Sequence, residues 1–85
     1  MIKKFSDHAW QEYVSWQNDD KRMIRRINEL LRDIERNGHA GLGKPEPLRH
    51  DLSGYWSRRI DDANRLIYRI ADDEILIIGC RGHYD

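Results

Sequence analysis

The sequence predicts an α+β fold: two N-terminal helices packed on one face of a mostly antiparallel twisted sheet, in the order β-α-α-β-β-β-β. Three observations carry that reading. Apolar residues recur every three or four positions between Ala9 and Ile34. From Leu48 onward the period shortens toward two, and β-branched and aromatic residues become frequent. Finally, 85 residues with 39% hydrophobic and 35% charged content suffice for one core, so residues 1–85 form a single domain.

Taken in order, Ile2 to Phe5 is a short strand. Ser6 follows as an N-cap, with Asp7 favourable in the first turn of a helix that runs to about Gln17. In that helix Ala9, Tyr13 and Trp16 share a face, which Trp10 and Val14 are expected to widen for burial against a sheet. Asp19 or Asp20 can cap a second helix, where Ile24, Ile27, Leu31 and Ile34 recur at helical spacing, and Asn37-Gly38 ends it. Strands are expected near Leu48–Leu52, Tyr55–Ile60, Arg65–Ala71 and Glu74–Arg81. Leu66, Tyr68 and Ile70 alternate with Arg65, Ile67 and Arg69, so one face of that strand meets the helices and the other is open to a ligand. Ile75 to Ile78 is apolar at successive positions, as in a central strand covered on both faces.

Composition narrows the function. No apolar run approaches the roughly 20 residues of a membrane span, and the N-terminus lacks a signal-peptide core, so a cytoplasmic protein without membrane contact is expected. The lone Cys80 fits a reducing compartment and reads as a small buried hydrophobe. Fifteen basic and fifteen acidic side chains cancel, so affinity for a polyanion must come from local clusters. One exists between Lys21 and Arg36, with six cations against three acids, and on the sequence alone a solvated helix face is the favoured reading of it. There is no phosphate-binding glycine loop, no paired CxxC and no HExxH. His8 and Glu12 alone are too few to hold a metal, so no metal or cofactor is expected.

What remains is a set of polar groups that local structure does not demand. Glu46 lies between Pro45 and Pro47, a stiff extended segment. His83 and Tyr84 follow the last strand, Arg65 opens the third, and Arg58 and Arg59 stand on its neighbour. Singly, each has an ordinary counterpart: a solvated turn carboxylate, a frayed terminus, exposed strand cations. Together their types suit RNA cleavage by the 2′-hydroxyl, which needs a base, an acid for the leaving oxygen and a cation for the charged phosphorane.

The stretches Gly43-Lys44-Pro45-Glu46-Pro47-Leu48, Leu52-Ser53-Gly54-Tyr55-Trp56-Ser57-Arg58-Arg59-Ile60, Asn64-Arg65-Leu66-Ile67-Tyr68 and Cys80-Arg81-Gly82-His83-Tyr84 carry more. Their order and content resemble the YoeB toxins of the RelE/ParE superfamily over essentially the whole chain. The resemblance implies a microbial-ribonuclease-like sheet and a ribosome-dependent messenger RNA endonuclease, the toxin of a type II toxin–antitoxin pair. It implies Glu46 as general base, His83 as general acid, Arg65 as the phosphorane's cation and Tyr84 as a group that orients the scissile nucleotide. Lys44, Arg49, Arg58 and Arg59 become candidate contacts to messenger RNA in the ribosomal A site or to ribosomal RNA. The implied partners are a cognate YefM-like antitoxin, for which the toxin also serves as corepressor, and a second copy in a homodimer. A non-catalytic inhibitor of DNA gyrase on the same fold, of the ParE type, is the competing reading. It would have no use for an acid and a base.

Overall fold

The computed structural model describes residues 1–82. Strand β1 (Ile2–Phe5) leads into helices α1 (Asp7–Asp19) and α2 (Lys21–Asn37), followed by β2 (Glu46–Pro47), β3 (Trp56–Arg59), β4 (Arg65–Ala71) and β5 (Glu74–Gly79). The five strands form one sheet in the order β1-β5-β4-β3-β2. Its pairings are antiparallel except that β1 runs parallel to β5, so the sheet is mixed. Both helices cover one face.

Local chemistry accounts for the helix ends. The Ser6 hydroxyl accepts from the Ala9 amide at 3.1 Å, and Asp20 accepts from the Arg22 amide at 3.0 Å, satisfying donors that each first turn leaves free. Gly38 closes α2 at φ 62, a left-handed value that glycine adopts without a Cβ penalty. Met23, Ile27, Leu30, Leu31 and Ile34 from α2 are buried with Ala9 and Trp16 from α1. Opposite them the sheet contributes Leu66, Tyr68, Ile75 and Ile77.

Three sequence expectations change. Trp10 is 52% exposed and Val14 is also exposed, so the buried face of α1 is narrower than its apolar pattern. Trp10 instead stacks on Tyr13 at 5.8 Å and meets Phe5 edge-on at 5.7 Å, a surface aromatic cluster. The strand expected at Leu48–Leu52 lies earlier, at Glu46–Pro47, while His50–Leu52 is a single 3₁₀ turn. The reason is local: the amides of Leu52, Ser53 and Tyr55 bond back to Arg49, His50 and Leu52, spending on turns the donors a strand would need. In β5, Leu76 and Ile78 are only half-buried, so one face of this central strand is incompletely covered. A register shift against Ile67 and Tyr68 makes Ile78 an extra residue, which lets Ile77 and Cys80 both turn toward the helices.

Cys80 behaves as the sequence suggested. Burial first, and then the Glu12 charge, push its thiol up to about 12, so it stays protonated and inert. Among the described residues, no helix is long and apolar enough to cross a membrane.

The packing yields a stability prediction. Ile77→Ala removes methyl groups from a fully buried site and is expected to lower unfolding free energy by about 2–5 kcal/mol. Val14→Ala, on the exposed side of α1, should stay within about 0.5 kcal/mol of the native chain. Urea unfolding followed by far-UV circular dichroism measures both.

Candidate functional site

The sheet face away from the helices is built by strand register. Glu46 stands opposite Ser57, Ser57 opposite Ile67, and Arg59 opposite Arg65. Directly paired residues share a face, and residues two apart along a strand share it too. Glu46, Ser57, Ile67, Arg59 and Arg65 therefore all belong to the face away from the helices, where Ser57 and Ile67 are buried and Glu46 and Arg59 are exposed. Two strand steps separate Glu46 from Ile67, about 10 Å, and Arg65 lies two residues farther along, about 7 Å. An extended carboxylate and a guanidinium so spaced can lean toward one group set between them.

Each side chain is placed by its neighbours. Glu46 is exposed and held extended between Pro45 and Pro47, and the chain after it is tied by the Leu48 amide to the Tyr55 carbonyl at 2.9 Å. Arg65 is half-buried, and its Nη1 donates to the Asp61 carbonyl at 3.0 Å. Its Nε and Nη2 make no hydrogen bond among the described residues. Lys44, Arg49 and Arg59 are exposed. Lys44 sits at φ 52, and the Arg59 amide donates to the Gly43 carbonyl at 2.7 Å, fixing the approach to Glu46.

His83 and Tyr84 lie outside the described residues, but the chain leading to them is firmly held. Asn64 Oδ1 accepts from the Gly82 amide at 2.7 Å, and the Gly82 carbonyl accepts from the Arg65 amide at 2.8 Å. Asn64 is itself fixed, because Asp61 Oδ1 accepts from both its backbone amide and its side-chain amide. On the other side, Glu12 accepts from the Cys80 amide at 2.9 Å and the Trp16 indole donates to the Cys80 carbonyl at 2.9 Å. Arg81 lies over the Trp16 ring at 4.0 Å and pairs with Asp19 at 2.7 Å. Residues 80–82 are thus clamped between α1 and the turn before β4.

A family described as the YoeB-like toxin of bacterial type II toxin-antitoxin systems matches residues 5–84. The chain belongs to the YoeB-like toxin family. It is similar to the toxin YoeB of Streptomyces coelicolor, 52% identical over 80 residues, which span 94% of this chain and 95% of that one. Among solved structures, the YoeB dimer from Staphylococcus aureus superposes with a TM-score of 0.94 at 46% identity, covering 99% of this chain and 98% of that one. The YoeB-YefM complex from the same organism superposes at 0.92 with 45% identity and the same coverage.

One residue that the sequence assigned to this YoeB-like surface belongs elsewhere. Arg58 was expected among the RNA contacts, yet it is 0% exposed. Strand alternation is the cause: Arg59 faces out, so Arg58 points to the helix side of β3. There its Nη1 meets Asp33 of α2 at 2.5 Å and the Leu42 carbonyl at 3.0 Å. Nη2 donates to the carbonyls of Gly38 and Ala40 at 2.6 and 2.9 Å, and Nε donates to the Tyr68 hydroxyl at 3.1 Å. His39 stacks on Trp56 at 4.0 Å beside this group, and burial, with the Arg58 charge, holds its imidazole below the usual 6.5. The sequence places a turn at Asp61–Asn64, but not its role: Asp61 holds Asn64, whose side chain accepts from the Gly82 amide.

Asp33 supplies a pH prediction. The Arg58 hydrogen bond, then the Leu42 amide, hold its carboxyl below the ordinary 3.8, with burial opposing. A folded-state value below the unfolded one means that its stabilisation is complete above 3.8 and fades as the pH falls through the folded value. The melting temperature should therefore drop below about pH 4, and Asp33→Asn should start lower and flatten that part of the curve. Thermal melts between pH 3 and pH 6 check this.

Proposed function

We propose that this toxin is a ribosome-dependent messenger RNA endoribonuclease, acting in the A site without a metal. The observation that carries the reading is that strand register puts Glu46 and Arg65 on the same face of the sheet, away from the helices. Glu46 takes the proton from the 2′-hydroxyl, whose oxygen bonds to the adjacent phosphorus. Arg65 stabilises the negative charge gathered on the phosphorane oxygens. As the bond from phosphorus to the 5′-oxygen breaks, His83 gives that oxygen its proton, and Tyr84 orients the nucleotide. The products are a 2′,3′-cyclic phosphate, open to hydrolysis to a 3′-phosphate, and a 5′-hydroxyl.

The clamp on residues 80–82 supports His83 as acid, because the chain enters position 83 from a carbonyl bonded to the Arg65 amide. Lys44, Arg49 and Arg59, all exposed near Glu46, are suited to grip phosphates. On α2, Lys21, Arg25, Arg32 and Arg36 are exposed and form no ion pair among the described residues, so they offer ribosomal RNA a second surface behind the sheet. Similarity to the Staphylococcus aureus proteins supports a YefM-like antitoxin and a homodimer as partners.

Glu46→Gln and His83→Gln are each expected to slow cleavage of a translated message by about 10²–10⁴-fold. Arg65→Ala should cost about 10²–10³-fold. Rates on purified ribosomes, read by primer extension, measure these losses, and native-like cleavage by His83→Gln would remove the acid assigned here. End-labelling should find a 5′-hydroxyl on the downstream fragment, whereas a 5′-phosphate would reject attack by the 2′-hydroxyl. Cleavage should persist when EDTA removes trace transition metals while magnesium keeps the ribosomes intact.

A further inference from the structure

The geometry points to Arg58 as a positioning residue for Glu46, an inference that rests on the role proposed for that carboxylate. Glu46 is delivered by residues 38–44, a segment with no helix or strand of its own. Gly38, Gly41, Gly43 and Lys44 in it all have positive φ. The strand that follows has only two residues, and Pro45 and Pro47 lack amide protons, so ladder hydrogen bonds can do little to hold it.

What this segment has instead is the Arg58 guanidinium. It collects the carbonyls of Gly38, Ala40 and Leu42, while Asp33 neutralises it and accepts from the Leu42 amide at 2.9 Å. The loop is wrapped closely round the pair: a Cβ at Gly41 would overlap the Asp33 carboxylate, and one at Gly43 would meet the Arg58 Cβ at 3.1 Å. Because Arg58 and Arg59 are consecutive on β3, and the Arg59 amide takes the Gly43 carbonyl, the loop is referenced twice to the strand that pairs with β2. The separation of Glu46 from Arg65 is set through that strand.

Stability alone is a poor account of this arginine. Desolvating a charged pair offsets much of its attraction, and apolar side chains of similar volume fill such a site equally well. What they cannot do is gather three carbonyls from one loop. Lysine cannot either, since its ammonium is a point charge rather than a planar fork.

The test is a double-mutant cycle on single-turnover cleavage of a ribosome-bound message by the full-length protein. Arg58→Lys should lower the cleavage rate constant about 10–100-fold with KM little changed, the scale expected of a small misplacement of a reacting group. Combined with Glu46→Gln it should add almost nothing, because it acts through that carboxylate. Amide exchange should speed up at Leu42 and Arg59 and stay native in β4 and β5. Should Arg58→Lys fail to fold, Gly41→Ala perturbs the Asp33 carboxylate that neutralises Arg58, from the exposed side of the loop, and is expected to show the same lack of additivity with Glu46→Gln. Native-rate cleavage by the folded variant, or losses that multiply in the double variant, would overturn the positioning role. Native-rate cleavage by Glu46→Gln would overturn the general base itself, and this inference with it.

Discussion

The arrangement depends on one interior charge. Arg58 sits where strand alternation sends it, on the helix side of the sheet, and a guanidinium there must find acceptors or remain unsatisfied. Asp33 on α2, three loop carbonyls and the Tyr68 hydroxyl supply them. Helix, loop and two strands are thereby joined at a single group, and among the described residues no buried side-chain nitrogen or oxygen lacks a partner. Burial raises the Tyr68 phenol above its usual 10.0, so it stays a neutral hydroxyl beside the guanidinium.

A second set of polar contacts does for the end of the fold what Arg58 does for its middle. The Asn64 side chain, the Arg65 amide, Glu12 and the Trp16 indole all bond to backbone groups of residues 80–82. Residues 46 and 82, both close to the open face, are thus placed by hydrogen bonds to chain segments that regular secondary structure does not hold. The apolar core makes the sheet, and these polar knots fix the irregular segments that lead to residues 46 and 83.

The parts of the fold that local chemistry controls were legible in the sequence. Ser6 and Asp20 cap the helices as their side chains require, Gly38 ends α2, and Arg65–Ala71 is a strand with the bounds its alternation suggests. Errors arose where tertiary contacts override local pattern. Trp10 has the type of a core residue, but it lies exposed and stacked on its own helix neighbour Tyr13. Leu48–Leu52 has strand composition, but backbone turns consume its donors. Arg58 and Arg59 are chemically alike, and only the phase of β3, set by pairing with β4, tells the structural arginine from the exposed one. The triad of Glu46, Arg65 and His83 was suggested by residue type and resemblance, and spacing along the chain says nothing of their distance apart.

The parallel pairing of β1 with β5 carries a consequence for biogenesis. Ile2 finds its ladder partner in Glu74, so β1 waits for β5, the last strand of this sheet to be synthesised. Until then the nascent chain presents an unpaired edge and lacks the core residues of β5, a slow and non-local closure. The sheet that carries Glu46 and Arg65 therefore cannot be completed until the ribosome has translated the chain through β5.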